Sequence, residues 1–599
     1  MTGRTFKKLM VIVLAICVLA TSACGYSDVQ RIEQVVNESM EKAERNSMVH
    51  SIEKKTFAMY CTDLSDENKE EIELCFMDGV TDIPYITVDT MRNIMIESAN
   101  PNEHPNYDLT VKKDGNTVTL SRETNYNMTI NCDEDTIHFW DYDAFLNMSN
   151  NNSLIDIVNY TGFNEEGEAE LFQISDASFV RYGEDVTFRP GDYGIDLIAQ
   201  DGEYYIPLKV YDDIILSNSG INTLYNGKAV FLIAGGNVDA VADEYFIEDA
   251  PKERSPELID FNYKELCFAM DAMYGLKETH DITDFDTLFM KADLKNQLLS
   301  KDPQEAGQAL ADLTLTYFDD RHSGFLGRSY MMEEAVEAKI GPGLRQMLVD
   351  KARYQKAREE AYPDGIPPYE ESGNTAYITF DSFRSDHGGL DYYKEDLSEH
   401  LDDTIALMLY SYSQITREGS PVENVVLDLS NNGGGESPAA AFVIGTFIGD
   451  GSVCLTDTLT GALVSEVFKV DLNLDRKFDE KDSLLDYNLF CLTNGNSFSC
   501  GNLVPSALHN SHMVTTLGQT SGGGSCVVRF MTTADGCPFQ MSGNSRLAYM
   551  KNGAFYNIDQ GVEPDFILPS PKQFYDREYL TGYINGLLGN NEAGKIALN

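Results

Sequence analysis

Residues 423–437, ENVVLDLSNNGGGES, join a short apolar segment to a run of glycines. The apolar run from Val425 to Leu429 predicts a buried strand. The glycines that follow leave the backbone uncovered, so the amides of this loop can approach a ligand closely. We therefore expect a strand that ends in a loop able to donate hydrogen bonds to an oxyanion.

Three later segments each combine a strand with a turn. Residues 489–511 begin as an apolar strand and reach Ser499 at the opening of a predicted helix, whose N-terminus would favour developing negative charge. Residues 515–526 enter a glycine-rich turn, and residues 557–568 turn at Gly561 before a final strand. Strands and helices alternate through this part of the chain, which predicts an α/β fold.

In this order and at these intervals, the four segments resemble the tail-specific, or C-terminal processing, serine protease family. The wider clan of that family includes the tricorn core protease and the interphotoreceptor retinoid-binding proteins. Ser499 stands where the family has its nucleophile, a glycine turn with the family's spacing begins at Gly518, and the closing G-V-x-P-D motif is residues 561–565. The resemblance covers roughly residues 255–585. It implies a catalytic β-sheet with flanking helices.

A histidine is the base that the resemblance implies. Residues 317–325, YFDDRHSGF, resemble the family's D-x-H-S segment and make His322 the expected base, whereas Gly524 stands where serine–lysine members carry their lysine. A serine hydroxyl needs a base within hydrogen-bond reach, and the imidazole needs an acid to fix its tautomer and stabilise its cation. Asp559 is the expected acid, although it precedes the closing turn by one residue fewer than the acid of some relatives. Asn502 stands where many members have glutamate.

The oxyanion of the tetrahedral intermediate is expected to be held by backbone amides. The amides of Gly433 or Gly434 and of Cys500 are the expected donors, and each such donor typically contributes about 10²–10³-fold to the rate. This chemistry requires no metal or other cofactor.

Each of these residues also has a simpler interpretation. Ser499 can be a helix N-cap, a role worth about 1 kcal/mol. Cys500 is intrinsically more nucleophilic than serine, but it stands one residue past the reactive position. His509 and His512 compete with His322 as the base, although both lie toward the far end of the helix that Ser499 opens. The glycines can form a turn and nothing more.

The N-terminus predicts export. Basic residues precede an uninterrupted apolar run from Leu9 to Ala20, which is too short to span a bilayer comfortably. Small residues then lead to Cys24, an arrangement that resembles the lipobox of bacterial lipoproteins, with Thr21 in place of the usual leucine. The resemblance implies that residues 1–23 are removed and that lipid on Cys24 anchors the protein outside the cytoplasm, at the bacterial cell membrane. Simple secretion is the alternative.

Composition excludes one class of partner. Of the 599 residues, 42% are hydrophobic and 11% aromatic, enough for packed cores in two or more domains. The 96 acidic residues outnumber the 45 Lys and Arg residues and give a formal net charge of −51. Because such a body repels phosphate, we expect no nucleic-acid partner, and membrane contact must come from the N-terminal lipid.

We predict a domain boundary near residue 250. The charged, proline-bearing stretch that begins at Glu248 separates a smaller α+β, strand-rich envelope module, residues 24–250, from the α/β catalytic domain, residues 251–599. Within the module, residues 78–91 and 201–214 each contain a turn, a short apolar strand and a helical onset. This similarity predicts a weak internal repeat.

Residues 471–482, DLNLDRKFDEKD, have the spacing of a calcium loop of the dockerin or EF-hand type. Arg476 occupies the sixth position, where glycine normally permits the sharp turn, so a solvated acidic hairpin is the alternative. The candidate ligands are Asp471, Asn473, Asp475, Asp479 and Asp482.

Two functions remain open from the sequence. The first is an exported, lipid-anchored serine peptidase that hydrolyses extracytoplasmic proteins or peptides through Ser499, His322 and Asp559. The second is an envelope binding protein that keeps the protease scaffold without turnover, which the missing lysine at Gly524 would permit.

Overall fold

The structure is a computed structural model that describes residues 48–61, 70–98, 108–122, 126–146, 170–385 and 389–595. The predicted signal peptide and Cys24 lie outside these ranges. Within them, no helix combines the length and the apolar character needed to cross a bilayer.

The strands are β1 (Ile52–Cys61), β2 (Glu70–Met77), β3 (Tyr85–Thr87), β4 (Leu109–Asp114), β5 (Thr117–Arg122), β6 (Tyr126–Asn131), β7 (Thr136–Phe139), β8 (Phe172–Arg181), β9 (Val186–Phe188), β10 (Ile198–Gln200), β11 (Glu203–Pro207), β12 (Ile221–Tyr225), β13 (Ala229–Ala234), β14 (Gly324–Phe325), β15 (Tyr369–Ser372), β16 (Thr375–Thr379), β17 (Asn424–Asp428), β18 (Gly451–Asp457), β19 (Leu463–Val470), β20 (Asn488–Thr493), β21 (Val514–Gly518), β22 (Cys526–Thr532), β23 (Pro538–Ala548), β24 (Met550–Lys551), β25 (Ala554–Phe555) and β26 (Phe566–Ile567). The α-helices are α1 (Val88–Ser98), α2 (Tyr142–Leu146), α3 (Leu208–Ile214), α4 (Ala242–Tyr245), α5 (Pro256–Met273), α6 (Phe285–Lys291), α7 (Lys295–Leu298), α8 (Pro303–Asp312), α9 (Pro342–Ala361), α10 (Thr404–Ile415), α11 (Ser437–Ile448), α12 (Cys500–Ser511), α13 (Pro571–Tyr575) and α14 (Arg577–Lys595).

A parallel sheet carries the glycine loop and Ser499. Its strand order is β15-β16-β17-β20-β21-β26, and every neighbouring pair from β16 onward is parallel. Val425 and Leu427 pack with helices α10, α11 and α12, whereas Val426 packs with α9, α13 and α14 on the other face. Because both faces are covered, the strands are apolar throughout, as parallel strands usually are. The predicted α/β catalytic region is confirmed.

A second sheet lies beside the parallel one and positions the loop of His322. Its order is β14-β23-β18-β19-β8, with β22 also paired to β23. The short strand β14 pairs with β23 directly after His322, through Gly324 opposite Gln540. The edge strand β8 comes from the N-terminal half of the chain and pairs antiparallel with β19.

The N-terminal region is rich in strands, as predicted. One sheet has the order β10-β11-β3-β2-β1-β13-β12, and another has the order β4-β5-β6-β7-β9. The two similar segments become neighbours in the first sheet, where Ile86 of β3 lies opposite Ile206 of β11 in an antiparallel pair. Each segment begins with an Asp-Gly turn. In both turns the aspartate has φ 54° and the glycine has φ 80°. The internal repeat is therefore a pair of strand–helix units that face each other.

The boundary at residue 250 stays a prediction, and strand pairing and an apolar cluster cross it. Strand β8 lies before it in sequence but completes the second sheet. One apolar cluster contains Val230 and Tyr211 together with Met531 and Phe539 from the C-terminal half. The boundary prediction relied on local composition, whereas these contacts join segments far apart in sequence.

Charged side chains are buried where the two halves meet. Lys209 bonds to Asp212 at 2.9 Å and also to Asp213, and the hydroxyl of Thr532 on β22 donates to Asp212 at 3.1 Å. Glu265 on α5 is 1% exposed, and neither of its carboxylate oxygens has a hydrogen-bond partner. Burial, and next the charge of Asp213, raise the pKa of Glu265 well above its usual value.

Glu265→Gln should flatten the pH dependence of stability. The folded state retains a proton on Glu265 that the unfolded chain releases above about pH 4.3. The stabilisation is complete below that pH and is lost as the pH rises through the folded-state pKa, at up to about 1.4 kcal/mol per pH unit. Glutamine resembles the protonated acid. The free energies of unfolding measured with urea at pH 5 and at pH 8 should therefore differ less in the variant than in the wild type. Glu257→Gln, on the exposed side of α5, is the control. An unchanged pH dependence in the Glu265 variant would contradict this account.

Candidate active site

Ser499 is held in a strained backbone conformation. It lies directly before α12 with φ 56° and ψ −125°, a region that costs a non-glycine residue about 1–3 kcal/mol. Its amide donates to the carbonyl of Gly523 at 3.0 Å, and its carbonyl accepts from the amide of Asn502 at 2.8 Å. Its side chain makes no capping bond to the helix. Ser499 therefore occupies the N-cap position without a side-chain capping bond, and its hydroxyl is left available.

The glycine loop after β17 packs directly against Ser499. Gly434 has φ 107°, and a Cβ at this position would lie 2.6 Å from the Cβ of Ser499 and 3.0 Å from the carbonyl oxygen of Phe498. Only glycine therefore fits at this position.

Two of the three predicted oxyanion donors are engaged elsewhere. The amide of Gly433 donates to the carbonyl of Asp381 at 3.1 Å, and that of Gly434 donates to the side chain of Asn432 at 2.9 Å. The prediction for these two amides is therefore not supported in this conformation. The amide of Cys500 opens α12, where helix geometry provides no intrahelical acceptor. The amide of Gly435 likewise has no acceptor in the described part of the chain and becomes the loop's candidate donor.

His322 lies in a tight loop between α8 and β14. Its amide donates to the carboxylate of Asp320 at 3.1 Å, and its carbonyl accepts from the side chain of Gln540 at 2.8 Å. The residue is 6% exposed, and its Nε2 atom is buried without a hydrogen-bond partner. Burial lowers the pKa of His322, while the charges of Asp320 and Asp559 oppose this effect. The neutral form, which can accept a proton, is therefore favoured.

The ring of Phe498 lies against the imidazole. The two ring centroids are 4.6 Å apart, and the guanidinium of Arg321 lies 5.2 Å from the Phe498 centroid. A Cβ at Gly524 would lie 2.4 Å from a carbon of the same ring. Phe498 therefore lies in the space where a side chain at position 524 would begin, and the described residues contain no hydrogen bond between Ser499 and His322.

Asp559 lies near His322 but binds other groups. Its carboxylate accepts from the amide of Ser525 at 2.8 Å and forms an ion pair with Arg546. Arg546 also donates to the hydroxyl of Ser525 at 2.9 Å. The predicted contact between Asp559 and the imidazole is absent from the described residues, because Arg546 on β23 occupies the carboxylate. Sequence reasoning missed Arg546, since no motif marks it.

A cavity of about 210 Å³ opens beside the base. His322, Phe498 and Asp559 line it, together with Asp320 and Cys526. The cavity gives a small molecule or a side chain direct access to the imidazole region.

Asn502 and Asp565 have structural contacts. Asn502 accepts from the hydroxyl of Ser521 at 2.6 Å and donates to the carbonyl of Ile558 at 3.0 Å, so it links α12 to two loops. Asp565 of the closing motif accepts from the amide and hydroxyl of Thr516, at 2.8 and 2.9 Å. Both residues fix the loops around Ser499.

The competing candidates are placed differently. His509 lies near the end of α12, where its Nδ1 atom is 3.0 Å from the hydroxyl of Thr516. His512 forms the C-cap of the same helix. Burial raises the pKa of Cys500 to about 12, so this thiol is not a reactive thiolate.

The predicted calcium ligands do not converge. Asp471 accepts from the amide of Arg476 and from the hydroxyl of Tyr393, both at 2.8 Å, and Asp482 accepts from backbone amides of the same loop. Arg476 reaches outward to Glu170 at 2.8 Å. Across the described ranges, no group of three or more His, Cys, Asp or Glu side chains is arranged to hold a metal ion. Asn473, Asp475 and Asp479 instead accept hydrogen bonds from backbone amides of the same loop.

Residues 374–568 match the family model of peptidase family S41. This segment of the chain is therefore similar to peptidase family S41. The match begins next to β16 and includes the glycine loop and Ser499, whereas His322 precedes it. The family resemblance stated from the sequence is thus confirmed.

Several solved structures are similar to parts of this chain. The photosystem II D1 C-terminal processing protease is 22% identical with a TM-score of 0.25, over 33% of this chain and 43% of that one. A lipoprotein from Streptococcus agalactiae is 15% identical with a TM-score of 0.32, over 56% and 99%. Mature CPAF is 12% identical with a TM-score of 0.36, over 55% and 96%. This chain therefore spans less than half of the D1 processing protease. No curated protein matches it.

Gly434→Ala should destabilise the fold far more than Gly433→Ala. The first change places a Cβ against Ser499 at a φ of 107°, whereas a Cβ at Gly433 meets no atom within 4 Å. We expect a loss of at least about 1–3 kcal/mol for Gly434→Ala and a change within about 0.5 kcal/mol for Gly433→Ala. Thermal and urea unfolding would measure both. Equal effects of the two substitutions would show that the loop does not pack against Ser499 in this way.

Proposed function

We propose that this chain is an active serine peptidase whose nucleophile is Ser499 and whose general base is His322. The observation that carries the proposal is the backbone of Ser499, which has φ 56° and an uncommitted hydroxyl at a helix N-terminus. Strain of this kind persists where surrounding contacts enforce it, and it clusters at active sites. An ordinary helix-capping serine would need neither the strain nor the free hydroxyl.

The reaction would follow the serine peptidase sequence. Ser499 attacks the peptide carbonyl while His322 accepts the hydroxyl proton and later donates it to the leaving amine. The amides of Cys500 and Gly435 would bind the oxyanion, helped by the positive end of α12. The base must come within about 2.6–3.2 Å of the hydroxyl. The proposal therefore includes a movement of the Phe498 ring away from the imidazole when substrate binds.

Peptides or proteins are the substrate class that the family implies. We propose that they are extracytoplasmic, because the N-terminus predicts export and a lipid anchor at Cys24. Asp559 was the predicted acid, and in this proposal its pairing with Arg546 makes it a structural support of the loop around Ser525.

A labelled fluorophosphonate probe would test the nucleophile. Wild-type protein should be labelled, and Ser499→Ala should not, because the probe reacts with an activated serine hydroxyl. Cys500→Ala is the matched control and should be labelled like the wild type, since this buried thiol is inert. His322→Ala should label more slowly by about 10²–10⁴-fold, the usual contribution of a general base.

The alternative, a binding protein on an inactive scaffold, predicts another result. It is favoured by the ring of Phe498 on the imidazole and by the pairing of Asp559 with Arg546. Absence of labelling in correctly folded wild-type protein, with no hydrolysis of a casein or peptide library, would overturn the peptidase and leave this function.

Cys24→Ala should release the protein from the membrane. In a bacterial host that processes lipoproteins, the wild type should incorporate labelled palmitate and sediment with membranes. The variant should incorporate none and should appear in the soluble extracytoplasmic fraction or retain its signal peptide. Cys61→Ala is a control, because it changes a thiol outside the lipobox. Equal palmitate incorporation by all three proteins would refute lipidation at Cys24.

A further inference from the structure

We propose that Asp320 is the residue that positions His322 and supplies the negative charge opposite its cation, the role that the sequence assigned to Asp559. The inference rests on the proposed function, since it concerns the base of the same reaction. Asp320 acts through His322 and is therefore a positioning residue.

Asp320 organises the loop that carries the base. One carboxylate oxygen accepts from the amides of His322 and Ser323, at 3.1 and 2.7 Å. The other accepts from the hydroxyl of Ser323 at 2.9 Å and from that of Tyr274 at 2.8 Å. Four donors thus fix one carboxylate two residues before the imidazole. Charge-assisted bonds of this kind are about twice as strong as neutral ones.

Tyr274 anchors this carboxylate to the body of the domain. Its ring stacks on Phe318 with centroids 4.3 Å apart, and it is 3% exposed. Its hydroxyl also lies 3.2 Å from Nδ1 of His280, so His280 belongs to the same hydrogen-bonded group. Tyr274 ends α5, whose buried face belongs to the large core of the domain. The position of Asp320 is therefore set by packing and does not depend on a mobile surface contact.

The residues on either side of Asp320 have strained backbones. Asp319 and Arg321 both have positive φ, at 49° and 63°. The side chain of Asp319 accepts from the amides of Gly343 and Leu344, at 2.6 and 2.7 Å, so its carboxylate is engaged by the start of α9. Two strained residues around Asp320 show that the loop is held in this shape by its contacts.

The other ionisable groups near His322 either bind other partners or carry no charge. Arg321, on the same loop, donates to the carbonyl of Gly495 at 2.7 Å and lies on the ring of Phe498. Asp559 is paired with Arg546, so the two charges largely cancel as seen from the imidazole. The thiol of Cys526 has a pKa raised to about 12 by burial and stays neutral. Asp320 lines the same cavity as His322, forms no ion pair with another described residue and has the largest favourable charge effect on the pKa of His322.

This charge matters when the proton moves. As Ser499 attacks, its proton passes to His322, and a buried neutral imidazole becomes a buried cation. Burial opposes that step, and a fixed negative charge within a few ångströms favours it. Asp320 contributes the largest of the favourable charge effects on the pKa of His322, and Asp559 contributes less.

Asp320→Asn and Asp559→Asn form a matched pair for the test, because each removes one negative charge from the same cavity. The readout is the second-order rate of fluorophosphonate labelling between pH 5 and pH 9. For Asp320→Asn we expect the rate on the plateau to fall about tenfold and the acid limb to move about one pH unit lower, since the imidazole loses its proton more easily. For Asp559→Asn we expect the acid limb to move in the same direction but by less, because Asp559 has the smaller favourable effect on the pKa of His322.

A shift of the acid limb in Asp559→Asn with none in Asp320→Asn would overturn the inference. A slower plateau in Asp320→Asn with an unmoved limb would also overturn it, because a purely structural role has that signature. If Asp320→Asn does not fold, Tyr274→Phe replaces it. That variant keeps the stacked ring and removes one donor, and an unaltered labelling rate would contradict the positioning role.

A second measurement separates this inference from the proposed function. Carbon-13 NMR of histidine labelled at Cε1 can follow the His322 titration in a Ser499→Ala background, with His322→Asn as the assignment control. A lower imidazole pKa in the Asp320→Asn protein supports the inference even if the wild type is not labelled by the probe. An unchanged titration overturns it even if Ser499 is the nucleophile.

Discussion

The close approach of the glycine loop to Ser499 is the contact on which the proposed site depends. Strands β17 and β20 are parallel neighbours, with Asp428 opposite Leu492, so the segments that follow them start at the same edge of the sheet. The first segment can then lie on the second only if no side chain intervenes, which is the reason for glycine at 434. Ser499 itself has a positive φ, so its backbone is also held in an unusual conformation where the two segments meet. The two segments therefore constrain each other.

The ring of Phe498 contacts the imidazole of His322 in the structure, whereas the proposed reaction needs a hydrogen bond from Ser499 to that imidazole. An unpaired buried nitrogen such as Nε2 of His322 costs about 1–3 kcal/mol, and a hydrogen bond from Ser499 would remove that cost. Against this, the contact of Phe498 with the imidazole and its contact with Arg321 are each worth about 0.5–1.5 kcal/mol. The sums are close enough for substrate binding to decide between them. The contact of Phe498 with His322 in the absence of substrate therefore does not argue against a peptidase.

The sequence predicted those features that local pattern determines. Apolar runs identified the strands of the parallel sheet, and the motif spacing singled out Ser499 and His322, whose imidazole contacts the ring of the residue before Ser499, Phe498. The sequence did not predict features that depend on contacts between segments far apart in the chain. Strand β8 pairs across the predicted boundary, and Arg546, which occupies Asp559, lies on a strand without any motif.

For some predicted site residues, the result depended on which way a group points and on which partner it binds. The glycine run predicted oxyanion donors, which stays a prediction, and which amide of the loop is free depends on backbone angles that the sequence does not reveal. The calcium spacing at residues 471–482 was formally suitable, yet those carboxylates bind backbone amides, and Arg476 stands where the turn needs glycine. Asp320 was inside the quoted D-x-H-S segment, and only its four donors indicate a role.

Under the proposed function, glycine at position 524 makes the second sheet important. With Gly524 in the position of the lysine, the loop after β21 cannot supply a base, and Phe498 occupies the space. The base must then come from outside the parallel sheet, and His322 lies at the start of β14 in the second one. That sheet is completed by β8 from the N-terminal half, and its strand β22 shares an apolar cluster with the N-terminal region. The N-terminal region is therefore part of the support of the base, and a C-terminal fragment cut at residue 250 would lack part of that support.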